Sequence, residues 1–186
     1  MENLINQIEQ SLNTGMYFLS LMSALTLPDI AGAMDDDGTA SPAKYKAWYD
    51  KYVLKQVDLL MRKKLQQVGF QQDDIDKIPT FNSPLNGEDV YKFRCSLLHQ
   101  GRMVGKSKKL IFIEPGQTTN STHYNCYGND IYDIDVDSFV LEILAGAREW
   151  LRIVENSQRF QNNYNQFARR HPSGYQNHLG GVVVIA

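Results

Sequence analysis

Asn86-Gly87-Glu88-Asp89-Val90-Tyr91-Lys92-Phe93-Arg94-Cys95-Ser96-Leu97-Leu98-His99-Gln100-Gly101 is the stretch on which the fold turns. Asn86 is a natural N-cap, and Glu88 and Asp89 suit the positive end of a helix dipole. Val90, Phe93, Leu97 and Leu98 recur at three- and four-residue spacing and form one apolar stripe. Gly101 then stops the helix.

Comparable patterns flank it. Leu4, Ile5, Ile8, Leu12, Met16 and Leu19 predict an amphipathic helix that becomes apolar all round over residues 18–25 and is interrupted at Pro28 and Gly32. Asp35-Asp36-Asp37-Gly38 opens a loop. Ser41 and Pro42 suit the cap and first position of a helix carrying Tyr45, Trp48, Tyr49, Tyr52, Val53 and Leu60 to about Gly69. Residues 73–84 are polar and predict a loop with a short turn. Leu110-Ile111-Phe112-Ile113 predicts a strand, and a second short strand is expected within 127–134. Asp135 or Asp137 is expected to cap a long helix bearing Phe139, Ile143, Ala147, Trp150, Leu151 and Val154. Phe160, Tyr164 and Phe167 follow at helical spacing. The last residues, Val182-Val183-Val184-Ile185, have no polar alternation and are expected to pair with 110–113. Taken together, the patterns predict one mainly α domain over 1–186, an antiparallel helical bundle with a small β element and a strand-like C-terminal tail. Its two aromatic helices, 43–67 and 138–155, should bury Trp48 and Trp150 against each other.

The chain has 186 residues, 42% hydrophobic and 22% charged, which fits an ordinary folded domain. Its net charge of -2 excludes a general nucleic-acid coat, so any RNA contact must come from a local patch. Two cysteines are too few for a disulfide framework. The N-terminus has no basic leader before an apolar run, and residues 16–27 are too few for the ~20 that span a bilayer. A cytoplasmic protein without membrane contact is expected.

Arg94 and His99 carry the main chemical signal. A guanidinium offers a planar fork to phosphate oxygens, and an imidazole moves protons near neutrality. Held together, they are the minimum equipment for metal-free RNA cleavage. Five helical residues turn about 500°, so the two side chains start roughly 140° apart. The long arginine arm, or two sites meeting across a dimer, would close that gap. Arg102, Lys106, Lys108 and Lys109 follow at once and suit an RNA backbone. The alternative for the pair is structural: Arg94 paired with a carboxylate such as Asp135 or Asp137, and His99 at the negative end of the helix dipole. Asp35-Asp36-Asp37-Gly38 lacks the register of a calcium loop, and the histidines lack zinc spacing. No metal or cofactor is expected.

Arg94-Cys95-Ser96-Leu97-Leu98-His99 resembles the Arg-x(4–6)-His motif of the HEPN superfamily of small helical domains. The wider frame, Tyr45-x-x-Trp48-x-x-x-Tyr52 with Tyr91-x-Phe93 through Gly101 and the helix from Asp135 to Leu151, is similar to a group of small uncharacterised bacterial accessory proteins. That similarity spans most of residues 40–155. The chain has Cys95 where HEPN nucleases usually carry a polar residue. The resemblance implies a metal-independent RNA endonuclease of toxin or defence type. Arg94 would bind the scissile phosphate, His99 would act as acid or base, and an RNA 2′-hydroxyl would be the nucleophile. It also implies a homodimer and an antitoxin partner. The other function open to the same fold is a non-catalytic helical interaction or scaffold module.

Overall fold

Tyr45, Trp48, Tyr49, Tyr52 and Val53 fall at helical spacing, and all five are buried. The computed structural model describes residues 1–103, 108–117, 123–128, 130–168, 170–171, 173, 182 and 184–185. Around the aromatic stripe the protein is mainly α with a small mixed sheet. α4 (Pro42–Trp48) starts at Ser41, whose hydroxyl accepts the Lys44 N–H. It runs into a π turn (Tyr49–Val53) and continues as α5 (Leu54–Gln67). The sequence predicts one regular helix here. The wider turn is a local feature that no residue pattern announces.

α8 (Val136–Val154) packs on this seam. The Trp48 and Trp150 rings meet edge to face at 6.1 Å and 74°, a favourable aromatic geometry. Gly146 allows the close approach: a Cβ there would lie 2.9 Å from Val53 Cγ2 and 3.1 Å from the Tyr52 carbonyl carbon. The expected burial of Trp48 and Trp150 is what the structure has.

The N-terminal segment folds as three helices rather than one interrupted helix. α1 (Glu2–Asn13) ends before Gly15, whose φ of +79° turns the chain into α2 (Tyr17–Ala24). Pro28 does not break a helix. It stands in the first turn of α3 (Leu27–Met34), where its missing N–H costs nothing. Among the described residues one stretch, Tyr17–Met34, has the length and composition to cross a membrane. It is split between α2 and α3, and half of it is buried inside the fold.

α6 (Gln72–Ile75) is the short turn expected in the polar segment. Arg62 holds it by donating to the carbonyls of Ile75 (2.7 Å) and Ile78 (3.0 Å). α7 (Gly87–Gln100) has the anticipated ends. Asn86 and Asp89 form a reciprocal capping box. Gly101, at φ +63°, closes the helix with its N–H on Leu97 and the Arg102 N–H on Ser96. The π turn also positions α7, because Asp50 accepts the Gly87 N–H at 2.7 Å.

β1 (Lys109–Ile113) pairs in parallel with β3 (Ile131–Asp135), and β2 (Asn125–Cys126) pairs antiparallel with β3. The C-terminal pairing differs from expectation. β5 (Val184–Ile185) pairs with β4 (Arg170–His171), not with residues 110–113, which pair with β3. Asp135 stands at the cap of α8 without capping it by its side chain, and is bonded instead to Lys64 at 3.1 Å. α9 (Gln158–Tyr164) follows α8 and starts at Ser157.

Trp48→Ala or Trp150→Ala removes a ring from a seam that is closed on both sides. Each is expected to cost about 3–5 kcal/mol in urea unfolding. A cost below ~1 kcal/mol for both would mean that the seam does not hold the fold.

Candidate active site

The last turns of α7 carry Arg94 and His99, and the structure brings them together within one chain. Arg94 Nη1 lies 2.9 Å from His99 Nε2. The arginine arm spans the angular offset, so no second chain is needed for the contact. A guanidinium only donates, so His99 Nε2 must accept. The imidazole proton is thereby assigned to Nδ1.

The other arm of Arg94 is ion-paired through Nη2 with Asp29 Oδ2. Asp29 is in the first turn of α3, where a carboxylate suits the helix dipole. Asp135 and Asp137, the carboxylates considered from sequence, are therefore not the partner in this pair. The two charged side chains are only 18% and 16% exposed, whereas His99 is exposed at the surface. Cys95 is half-buried, with Sγ 3.9 Å from Arg94 Nη1.

Burial pushes the Asp29 carboxyl above the ordinary aspartate range, and the Arg94 charge pulls it partly back. On Arg94, burial pulls the guanidinium down, while Asp29 and Cys95 outweigh it and leave the group above its usual value. The two shifts weigh one pair differently. Asp29 keeps a net burial cost, and Arg94 gains from the contact. The Asp29 direction is the better guide to the cost of the pair, since a compact carboxylate loses more solvation than a delocalised guanidinium.

The basic residues beyond Gly101 are dispersed. Arg102 and Lys109 are exposed. Lys108 is half-buried, and its ammonium donates to Asp89 (2.7 Å) and to the Pro84 carbonyl (2.6 Å). Lys106 lies outside the described residues.

A second polar cluster escaped the sequence reading. His123 Nε2 is 3.0 Å from Glu142 Oε1, with side chains 1% and 3% exposed. The Tyr124 hydroxyl donates to Glu142 Oε2 at 2.6 Å. Tyr124 adopts φ 63°, a strained conformation for a bulky residue, and the cluster ties this loop to α8. Burial pushes the Tyr124 and Tyr49 phenols far up, with the Glu142 charge adding to it. A signal for Glu142 existed: it occupies an apolar-stripe position in α8, between Phe139 and Gly146. Asp29 had one too, as the single charged residue in the stretch 16–34.

Among the described residues, no three His, Cys, Asp or Glu side chains converge as a metal site would require. Compared with known protein families, curated proteins and solved structures, the chain has no match in any of the three.

Asp29 supplies a pH test of this geometry. A carboxyl whose value is raised on folding holds its proton more tightly in the native state. Its contribution is full below the unfolded value and is lost as pH rises through the folded one. Asp29→Asn removes that titration. The stability of wild type relative to Asp29→Asn, from urea unfolding across the acid range, is expected to decline as pH rises through the raised value. A difference that grows with pH would contradict a net burial cost at Asp29.

Proposed function

We propose that the chain is a HEPN-like, metal-independent RNA endonuclease of toxin or defence type in which Arg94 and His99 touch the RNA. The observation that supports it is the 2.9 Å contact between Arg94 Nη1 and His99 Nε2 at an exposed helix end. Asp29 is a positioning residue that holds the guanidinium by its other arm.

The chemistry follows from what the contact blocks and releases. In the free protein the His99 Nε2 lone pair is occupied by an Arg94 N–H. A phosphate diester offers Arg94 a charged acceptor, a stronger partner than a neutral imidazole. Arg94 turns its Nη1 donor to the phosphate, and Nε2 becomes available as a base. It accepts the proton of the 2′-hydroxyl as the 2′-oxygen bonds to phosphorus. The bond to the 5′-oxygen breaks, and the proton returns to that leaving oxygen through water. The products are a 2′,3′-cyclic phosphate and a 5′-hydroxyl. Arg102 and Lys109 are the exposed cations that would follow the RNA backbone. Lys108 joins them only by leaving Asp89, and Lys106 belongs to the same proposed set. A homodimer would place two such sites on one assembly, and an antitoxin partner would cover them. The proposal takes the protein to be cytoplasmic.

A second reading is favoured by the ion pair itself. Asp29–Arg94 already satisfies one arm of the guanidinium and ties α3 to α7, as a non-catalytic helical interaction module would need. The two readings separate in one assay. Single-stranded RNA is incubated with the protein in EDTA near neutral pH. The nuclease reading expects cleavage that leaves cyclic phosphate, and a loss of at least ~100-fold in His99→Ala with unchanged melting. Arg94→Ala should lose cleavage as well, with some stability because Asp29 is left unpaired. No cleavage by wild type, or full activity in His99→Ala, would leave the interaction module.

A further inference from the structure

Asp29 has a second environment. The carboxylate that pairs with Arg94 also forms part of the wall of a cavity of about 360 Å³, within the range of small-ligand sites. Phe167, Asn163 and Gln166 line the same cavity. The wall is braced rather than loose. Asn163 Nδ2 donates to the carbonyls of Met34 and Asp36, both at 3.0 Å, and so ties α9 to the end of α3. Phe167 terminates a row of stacked rings, with Phe160 on Tyr164 at 5.3 Å and 13°, and Tyr164 on Phe167 at 6.1 Å and 22°. A carboxylate acceptor, two side-chain amides and an aromatic surface thus meet in one cavity whose wall is shared with the phosphate site.

We propose that this cavity receives an unstacked guanine base of the RNA whose phosphate Arg94 and His99 hold. The inference rests on the phosphate-binding role given to that pair. Sequence-specific RNA recognition works on unpaired bases that lie against aromatic side chains and are hydrogen-bonded along their edges. The cavity offers both features. The choice of base follows from the charge of Asp29. Guanine presents two adjacent N–H donors, N1 and N2, which match an accepting carboxylate. Adenine and cytosine present one amino donor beside a ring-nitrogen acceptor. Uracil presents one donor between two carbonyl oxygens, which would face the anion. Asp29 Oδ2 is buried against Arg94, so Oδ1 is the oxygen left to the base, and its two lone pairs can accept from the adjacent N1–H and N2–H of guanine.

The test measures binding and cleavage separately. Calorimetry compares guanosine 3′-monophosphate with uridine 3′-monophosphate on wild type and on Ala40→Trp. Ala40 is an exposed residue on the cavity wall, so an indole there fills the cavity while Arg94 and His99 remain in place. Wild type is expected to bind the guanosine nucleotide at least about tenfold more tightly. Ala40→Trp should erase that preference without lowering the melting temperature. Equal affinities, no binding of either nucleotide, or a preference that survives Ala40→Trp would overturn the guanine cavity. Cleavage of oligonucleotides with a single ribonucleotide position reports on the other premise. Cutting without preference for guanosine overturns the cavity and keeps the nuclease. Guanosine-selective binding without cutting overturns the nuclease and keeps the cavity.

Discussion

The Arg94 guanidinium is held at both of its Nη atoms, by Asp29 from α3 and by His99 from the end of its own helix. That double attachment decides what the site can be. With Asp29 alone, Arg94 would be a partly buried brace between two helices. With His99 alone, it would be a mobile surface contact. Because one arm is anchored, the other is kept beside His99 at the helix end, and the imidazole proton is placed on Nδ1. Burying the carboxylate costs free energy, as the raised Asp29 value records. An apolar contact between α3 and α7 would avoid that cost.

The rest of the fold serves to bring α3 and α7 to that meeting point. Tyr45 ties α7 to the turn that leads into α3: its hydroxyl donates to the Leu25 carbonyl at 3.2 Å, and its ring meets Tyr91 of α7 at 5.3 Å. Asp50, exposed on the π turn, fixes the other end of α7 through the Gly87 N–H. Gly87 is needed there. A Cβ at that position would lie 2.5 Å from the Lys46 carbonyl oxygen, which α7 could not accommodate without moving away from α4. The aromatic seam between α4 and α8 supports this arrangement from beneath, and Arg148 adds a tie to Glu9 of α1 at 2.7 Å.

Much of this was legible in the sequence because it depends on local chemistry. The Asn86 cap, the Gly101 stop, the buried Tyr45–Val53 stripe and the pairing of Trp48 with Trp150 all follow from spacing and capping rules. What escaped depends on contacts far apart in the chain. Asp29 and Arg94 are brought together by tertiary packing, and spacing along the chain carries no information about them. The Glu142–His123 pair is similar, since its histidine comes from a loop without periodicity. Pro28 misled for a different reason: a proline that breaks a helix interior also starts a helix well, and only the turn at Leu25 and Thr26, where α2 has already ended, decides between the two. The C-terminal strand was recognised, but its partner was not, because a short apolar run carries no signal for which strand it pairs with.

The most direct measurement is the protonation pattern of His99 by nitrogen-15 NMR of the imidazole at a pH where the ring is neutral. The geometry requires the proton on Nδ1, with Nε2 accepting from Arg94. In Arg94→Ala the ring should revert to the Nε2–H form that free histidine prefers. Adding a single-stranded RNA should release Nε2 from Arg94 in the wild type and change its shift. A His99 ring found as Nε2–H in the wild type, or unchanged by both Arg94→Ala and RNA, would contradict the paired site on which the account rests.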